Sequence, residues 1–280
     1  MHTPPPQIPA TPPARALPGV RTIPLFQPMH WLVHAWRDMA RCGWISFAHG
    51  LVLTLVGMAI LGLARDRFWL LAGVLSGFLV IAPVLATSLY ALSRALERGE
   101  KADASVVLKT WLNWQHSHFN KWGNDYWCLV QFGALLALAA TGWVLTSAAL
   151  ITLLAPVPIT TPLDFIRHVM LAEDSHLFEL WLALGGVMAA PIFASTAIAM
   201  PMLLDRRVTL WQAVLTSWQA VLANPLPMAF WAALIMGFTL LGLGSALLGL
   251  IAVIPMLGHA SWHAYRDLVD VSSLPERESR

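Results

Sequence analysis

Long apolar runs separated by short polar breaks fill most of the chain. Trp44 to Ala64 is the first. Arg65, Asp66 and Arg67 make a tight break, and Phe68 to Leu92 follows. Trp127 to Leu154 and Phe178 to Leu204 are the third and fourth. The next stretch, Pro225 to Ala264, is too long for one crossing, because a membrane helix needs roughly 20 apolar residues. Gly242 and Gly244 fall near its middle with Ser245 beside them, so it reads as two helices joined by a turn. The expected spans are 44–64, 68–92, 127–154, 178–204, 225–241 and 245–264. Backbone polar groups in lipid must be satisfied within helices or closed barrels, and these runs are too long for barrel strands. The pattern predicts an all-α fold, a six-transmembrane-helix bundle built as three hairpins.

A different period governs three segments between the runs. Residues 29–42 place Leu32, Val33, Trp36, Met39 and Ala40 on one face. Residues 105–118 do the same with Val107, Leu108, Trp111, Leu112 and Trp114, and residues 209–223 with Leu210, Val214, Leu215, Trp218, Val221 and Leu222. This spacing belongs to an amphipathic helix. Thr209 with Gln212 reads as a capping box for the third. Each segment precedes an odd-numbered span. All three are expected to lie flat at the membrane surface, with Trp36, Trp111 and Trp218 as interfacial anchors. A weaker helix is expected over Pro162 to Ala172, with Thr161 as its N-cap.

Composition agrees with this class. The 280 residues are 58% hydrophobic and 11% charged, against about 25% charged in a soluble domain. A net charge of +2 gives no reason to expect a nucleic-acid partner. Lys and Arg set the orientation. One side carries Arg15, Arg21, Arg37 and Arg41, then Arg94, Arg98, Lys101, Lys109 and Lys121, then Arg206 and Arg207, then Arg266, Arg277 and Arg280. The other side has Arg65, Arg67 and Arg167. Both termini are therefore expected in the cytoplasm. Cys42 and Cys128 fall on that side, where thiols stay reduced, and read as plain small residues. Residues 1–28 hold nine prolines and no signal-peptide core. They read as a disordered tail, either flexible or a Pro-rich ligand for a partner. The expected domains are that tail, a membrane domain over 29–270 and a flexible C-terminal tail over 271–280.

The three surface helices share a pattern, and the second helix of each hairpin carries Pro-x-x-small: Pro83 to Ala86, Pro191 to Ala194, Pro255 to Gly258. PVLATSLYALSRALER and PIFASTAIAMPMLLDR match at several positions, with Glu97 and Asp205 as a close pair, and Arg266 aligns with Arg94. The unit reads as flat helix plus hairpin, repeated three times. Proline bends a membrane helix, and small residues let helices approach. The three bends are expected to pack together. A polar constriction lined by Thr87, Ser88, Ser195 and Thr196 is the alternative.

No acidic or basic residue falls deep within a span, where ion-coupled transporters place them. No HExxH, P-loop, GxSxG or paired intramembrane aspartate is present. Catalysis is not expected, and no catalytic residue is assigned. The candidate functional cluster is His259, His263, Tyr265, Arg266 and Asp267 near the end of the last span, with His49 at the start of the first. His259 and His263 share one helix face and with His49 could hold a haem or metal. The plainer reading is interfacial histidines bonded to neighbouring carbonyls. No cofactor is predicted from the remaining residues.

The run GHASWHAYRDLV, following six spans with a tail and surface helix before the first, resembles a family of bacterial integral membrane proteins known as domain of unknown function 2189. The resemblance covers roughly Trp31 to Val269. Its most specific residues are Gly258, His259, Ala260, Trp262, His263, Tyr265, Arg266 and Asp267. It implies a bacterial inner membrane and no known activity. The leading expectation is a non-enzymatic accessory or scaffolding component of a membrane complex, with the lipid bilayer and a membrane protein as partners. A small-solute transporter or channel at the Pro-x-x-small ring is the second, and a haem or metal protein the third.

Overall fold

The computed structural model describes residues 17–64, 86–116, 127–172 and 176–277, with scattered positions of 69–85. The Pro-rich residues 1–16 and Pro83 lie outside the described residues. The architecture is helical. The order is α1 (Gln27–Cys42), α2 (Trp44–Ala64), α3 (Thr87–Glu97), α4 (Ala104–His116), α5 (Trp127–Leu154), α6 (Pro162–Phe165), α7 (Leu177–Thr196), α8 (Ala199–Asp205), α9 (Leu210–Ala223), α10 (Pro225–Gly244) and α11 (Leu250–Leu268). A π-helical turn, Ile166–Met170, extends α6. The extended contacts among the described residues are two isolated bridges, Val20 with Val269 and Arg206 with Glu276.

Four helical stretches are long and apolar enough to cross a membrane: Trp44–Leu63, Cys128–Leu154, Leu177–Asp205 and Pro225–Gly244. The second expected span is described only in part. Its last turns appear as α3, and every residue from Thr87 to Ala95 is buried. The sixth expected span forms α11, which carries His259, His263, Arg266 and Asp267 and buries much of its length. The expected fourth span breaks at Ala197–Ile198 into α7 and α8. Pro201 explains the break, since it has no N–H to give Ala197 four residues back and its ring crowds that carbonyl. Ile198 instead donates its N–H to Ser217 Oγ at 3.2 Å.

α11 is the axis of the first half of the molecule, packed against α1, α2, α3 and α10. Two glycines permit this. A Cβ on Gly50 would sit 2.1 Å from the Ile251 carbonyl oxygen. Pro255, four residues after Ile251, leaves that carbonyl without its helical donor. Gly50 offers it a Cα–H, the weak donor such a group accepts. A Cβ on Gly258 would meet the Leu89 side chain at 2.5 Å. The turn between α10 and α11 holds Ala246 and Leu247 at positive φ.

Three short helices form near the three surface segments expected from the sequence. The Thr209–Gln212 capping box closes as read, and the N-cap read at Thr161 closes as a box with Asp164. Gly43, at φ 60° and ψ −133°, joins α1 directly to α2. That conformation is open to glycine and strained for other residues.

The chain ends depart from the expected tails. Gly19 O accepts from Asp270 N at 2.8 Å, and Leu268 O from Arg21 N at 2.9 Å. Asn224 holds the same strand from the other side, accepting from Ile23 N at 2.9 Å and donating to Arg21 O at 3.0 Å. Residues 271–277, read from sequence as a flexible tail, continue the strap. Arg277 N donates to Asp205 O at 2.8 Å, and its side chain is buried.

Candidate functional site along the last helix

One face of α11 meets α1, α2 and α3 through polar side chains. His259 is fully buried and bonded at both ring nitrogens: Nε2 to Ser46 Oγ at 2.9 Å and Nδ1 to Ser93 Oγ at 2.7 Å. Ser93 also bonds Asp38 Oδ2 at 2.7 Å, and His263 Nε2 reaches the same oxygen at 2.9 Å. The carboxylate fixes the direction of every bond, because it only accepts. Ser93 gives its single proton to Asp38. It must therefore accept from His259 Nδ1–H, and His259 Nε2 then accepts from the Ser46 hydroxyl. A neutral imidazole with its proton on Nδ1 satisfies the whole chain. Burial opposes ionisation of Asp38, but the hydrogen bonds from His263 and Ser93 outweigh it and hold the carboxyl below its ordinary range. The His34 ring lies against His263 with centroids 5.1 Å apart.

His49 lies close by on α2 without joining this chain. Its Nδ1 donates to Ile45 O at 2.9 Å, so Nε2 accepts from Ser88 Oγ at 2.7 Å. Both nitrogens of His259 and of His49 are thus engaged. Neither offers a free lone pair to a haem or metal in this arrangement. Among the described residues, no group of three or more His, Cys, Asp or Glu is placed to hold a metal ion.

Arg266 and Asp267 part company. Asp267 turns to α1, accepting from Trp31 Nε1 at 2.7 Å and Gln27 Nε2 at 2.8 Å. Arg266 turns to α3, pairing with Glu97 at 2.8 Å, and Trp262 Nε1 donates to the same carboxylate at 2.9 Å. Tyr265 donates to the buried Asp205 at 2.8 Å. Asp205 pairs with Arg206 at 2.9 Å and lies 3.7 Å from Arg98 and 3.9 Å from Arg266. Arg98 and Arg206 both reach Glu276 on the C-terminal strap, at 2.9 and 3.3 Å. A small cleft of about 110 Å³ lies among these groups.

The expected bend residues fall as follows. Pro191 and Pro255 lie inside α7 and α11. Ala194 is buried, Ala86 is a half-buried turn residue ahead of α3, and Gly258 faces Leu89. Thr87 and Thr196 bond back into their own chain segments. Ser88 and Ser195 do not, reaching His49 and Trp218 Nε1 instead. A larger cavity of about 530 Å³ lies away from the prolines, where Trp69 and Leu70 face residues 151–160.

Sequence reading missed Asp38, Ser46 and Ser93 as partners of His259. Asp38 carries a signal in retrospect: it is a lone acid on the buried side of an otherwise apolar helix face. The serines carry none, since nothing distinguishes them from other hydroxyls in membrane helices.

With this geometry in view, the comparisons are short. Residues 70–205 match a family model described as predicted integral membrane protein (DUF2189). The match runs from the second expected span to the end of α8. The α11 cluster falls beyond it. No curated protein and no solved structure matches the chain.

Proposed function

We propose that this integral membrane protein is a non-enzymatic accessory or scaffolding component of a membrane complex, seated in a bacterial inner membrane with both termini cytoplasmic. The observation that carries the reading is the orientation of the three short helices. α9 turns Ala213, Thr216, Ser217 and Ala220 inward and leaves Trp211, Trp218 and Leu222 exposed. α4 exposes Leu108, Trp111 and Leu112, and α1 exposes Met29, Val33 and Trp36. A helix on a water-facing surface buries its large apolar side chains and shows its polar ones. α9 reverses that order, and α4 and α1 leave large apolar side chains exposed, α1 beside a buried face of Trp31, Leu32 and Met39. Such exposed apolar edges fit helices whose outer neighbour is lipid or another membrane protein.

The charged cluster supports the threefold repeat within the same reading. Glu97 and Asp205 are equivalent positions of two copies, as are Arg98 and Arg206, and Arg94 aligns with Arg266 in the third. The bonds Arg98–Asp205, Arg266–Glu97 and Arg266–Asp205 join one copy to another. Equivalent ends of three hairpins meeting on a shared set of ion pairs is the geometry expected of a pseudo-threefold bundle. In this reading α11 is the sixth crossing and the segment ahead of α3 the second. The histidine chain then serves to fix helix register, a role for which buried polar groups are well suited.

Purification from native membranes under mild detergent tests the proposal. A stoichiometric membrane-protein partner is the expected result. Repeated isolation of partner-free protein that carries robust solute flux in vesicles would overturn it.

A further inference from the structure

The exposed side of α1 is divided into two parallel stripes. Met29, Val33, Trp36 and Ala40 form one, and His30, His34, Arg37 and Arg41 form the other. Each basic residue directly follows an apolar one, so the stripes run side by side at the same i, i+4, i+7, i+11 spacing of one helix face. Trp36 is 60% exposed and Val33 48%. Phe26, just ahead of the helix, adds to the apolar edge at 64%.

The cations of this stripe differ from those near α11. Arg98, Arg206 and Arg266 each reach a carboxylate of the protein. Arg37 and Arg41 have no ion pair or hydrogen bond among the described residues, and both are exposed. The carboxylates of this region are turned elsewhere, Asp38 to Ser93 and His263, Asp267 to Trp31 and Gln27. α1 is also tied by Gly43 alone to α2, a stretch apolar enough to cross a membrane. Its apolar stripe and its uncompensated cations therefore sit one residue from a membrane-crossing segment.

We infer that His30, His34, Arg37 and Arg41 form a binding stripe for the phosphate groups of anionic phospholipids, with Met29, Val33 and Trp36 set into the adjoining acyl boundary. Guanidinium groups suit phosphate oxygens, and the apolar stripe fixes the depth at which they meet them. The inference rests on α1 lying at the membrane surface.

Two measurements on the full chain separate that premise from the inference. In the first, a nitroxide on Val33→Cys, in a Cys128→Ser background, is tested for contact with oxygen and with a water-soluble nickel chelate. Strong oxygen contact with little nickel contact supports the surface position, and the reverse overturns it. In the second, native mass spectrometry counts phosphatidylglycerol and phosphatidylcholine retained from mixed micelles. Arg37→Gln/Arg41→Gln should lose phosphatidylglycerol at least about fivefold, the factor one surface charge contributes, and keep phosphatidylcholine unchanged. Arg37→Lys/Arg41→Lys should retain most of it. Lipid-facing Val33 with phosphatidylglycerol retention equal in parent and glutamine variant would overturn the headgroup site alone. So would full displacement of the bound lipid by inorganic phosphate, which would assign the stripe to a free anion.

Discussion

Two sets of charged groups at the two ends of one contact show opposite logic. Where α11 meets α3 and α8, cations and carboxylates close upon one another, and Asp205 is almost fully buried. On the outer face of α1, Arg37 and Arg41 meet no carboxylate of the described chain. Both helices pack on each other, so position in the bundle does not explain the difference. The burden each charge carries does. A buried charge must find its partner within the protein, whereas an exposed one can leave that task to the surroundings. The first set holds the bundle together, and the second is available to something outside it.

Removing Asp205 tests the closed set most severely. Asp205→Ala leaves Arg206, which is 8% exposed, without its nearest counter-charge, and removes the acceptor of Tyr265. Breaking a buried pair from one side destabilises by about 3–5 kcal/mol. The expected outcome is a large fall in the midpoint of detergent-induced unfolding. Tyr265→Phe should lose much less, because the carboxylate keeps Arg206. Equal effects would show that the phenol, and not the ion pair, is the centre of this cluster.

Gly50→Leu probes the contact that brings the two sets together. The added Cβ falls on the Ile251 carbonyl oxygen, which is backbone and cannot swing aside. An overpacked contact of this kind costs about 1–3 kcal/mol. The neighbouring Gly57 meets only the tip of Leu247 at 3.2 Å, so Gly57→Ala should be far milder. Unfolding midpoints of the two variants decide it, and the reverse ranking would separate α2 from α11 at this crossing.

Much of this arrangement was legible in the chain, for physical reasons that differ by element. Apolar runs of span length are hard to disguise, and α2, α5 and α10 fall close to the expected limits. The Thr209–Gln212 capping box and the Thr161 cap were legible because such caps act over three residues. The break at Ala197 was hidden because Pro201 acts four residues upstream of itself, within a run of unbroken hydropathy. The facing of α1 was misread at one edge. Val33 and Trp36 were grouped with Leu32 and Met39, yet the former pair is exposed and the latter buried. An apolar residue looks the same to the sequence whether lipid or protein covers it. The partners of His259 lie at separations of 166 and 213 residues, and no local period reports a contact of that range.

The histidine chain sits between the two sets and should respond by an intermediate amount. His259→Phe keeps the ring but takes the acceptor from the Ser46 hydroxyl, while Ser93 still donates to Asp38. An unmet buried polar group costs about 1–3 kcal/mol. Asn at 259 restores a donor and an acceptor and should recover part of the loss. Asp38 adds a pH dependence of known sign. Its carboxyl is held below the ordinary 3.8 in the folded protein. Its contribution is therefore full above the unfolded value and is lost as pH falls through the folded one. The parent should lose stability on the acid side of about pH 4, and Asp38→Asn should start lower and show a flatter acid limb. An unchanged limb in the variant would mean that Asp38 is not ionised in the fold.

The smallest effect on stability belongs to Arg37→Gln/Arg41→Gln, and the comparison needs it to be small. Neither guanidinium has a hydrogen-bond or ion-pair partner among the described residues to lose, and exposed positions away from such features rarely matter to folding. The unfolding midpoint in neutral detergent should match the parent. A marked loss there would place these arginines with Arg206 and Arg266, as structural charges whose partners had been overlooked. An unchanged midpoint keeps them apart. It also makes any change seen in anionic lipid a property of the surface, since the same substitution would have left the fold as it was.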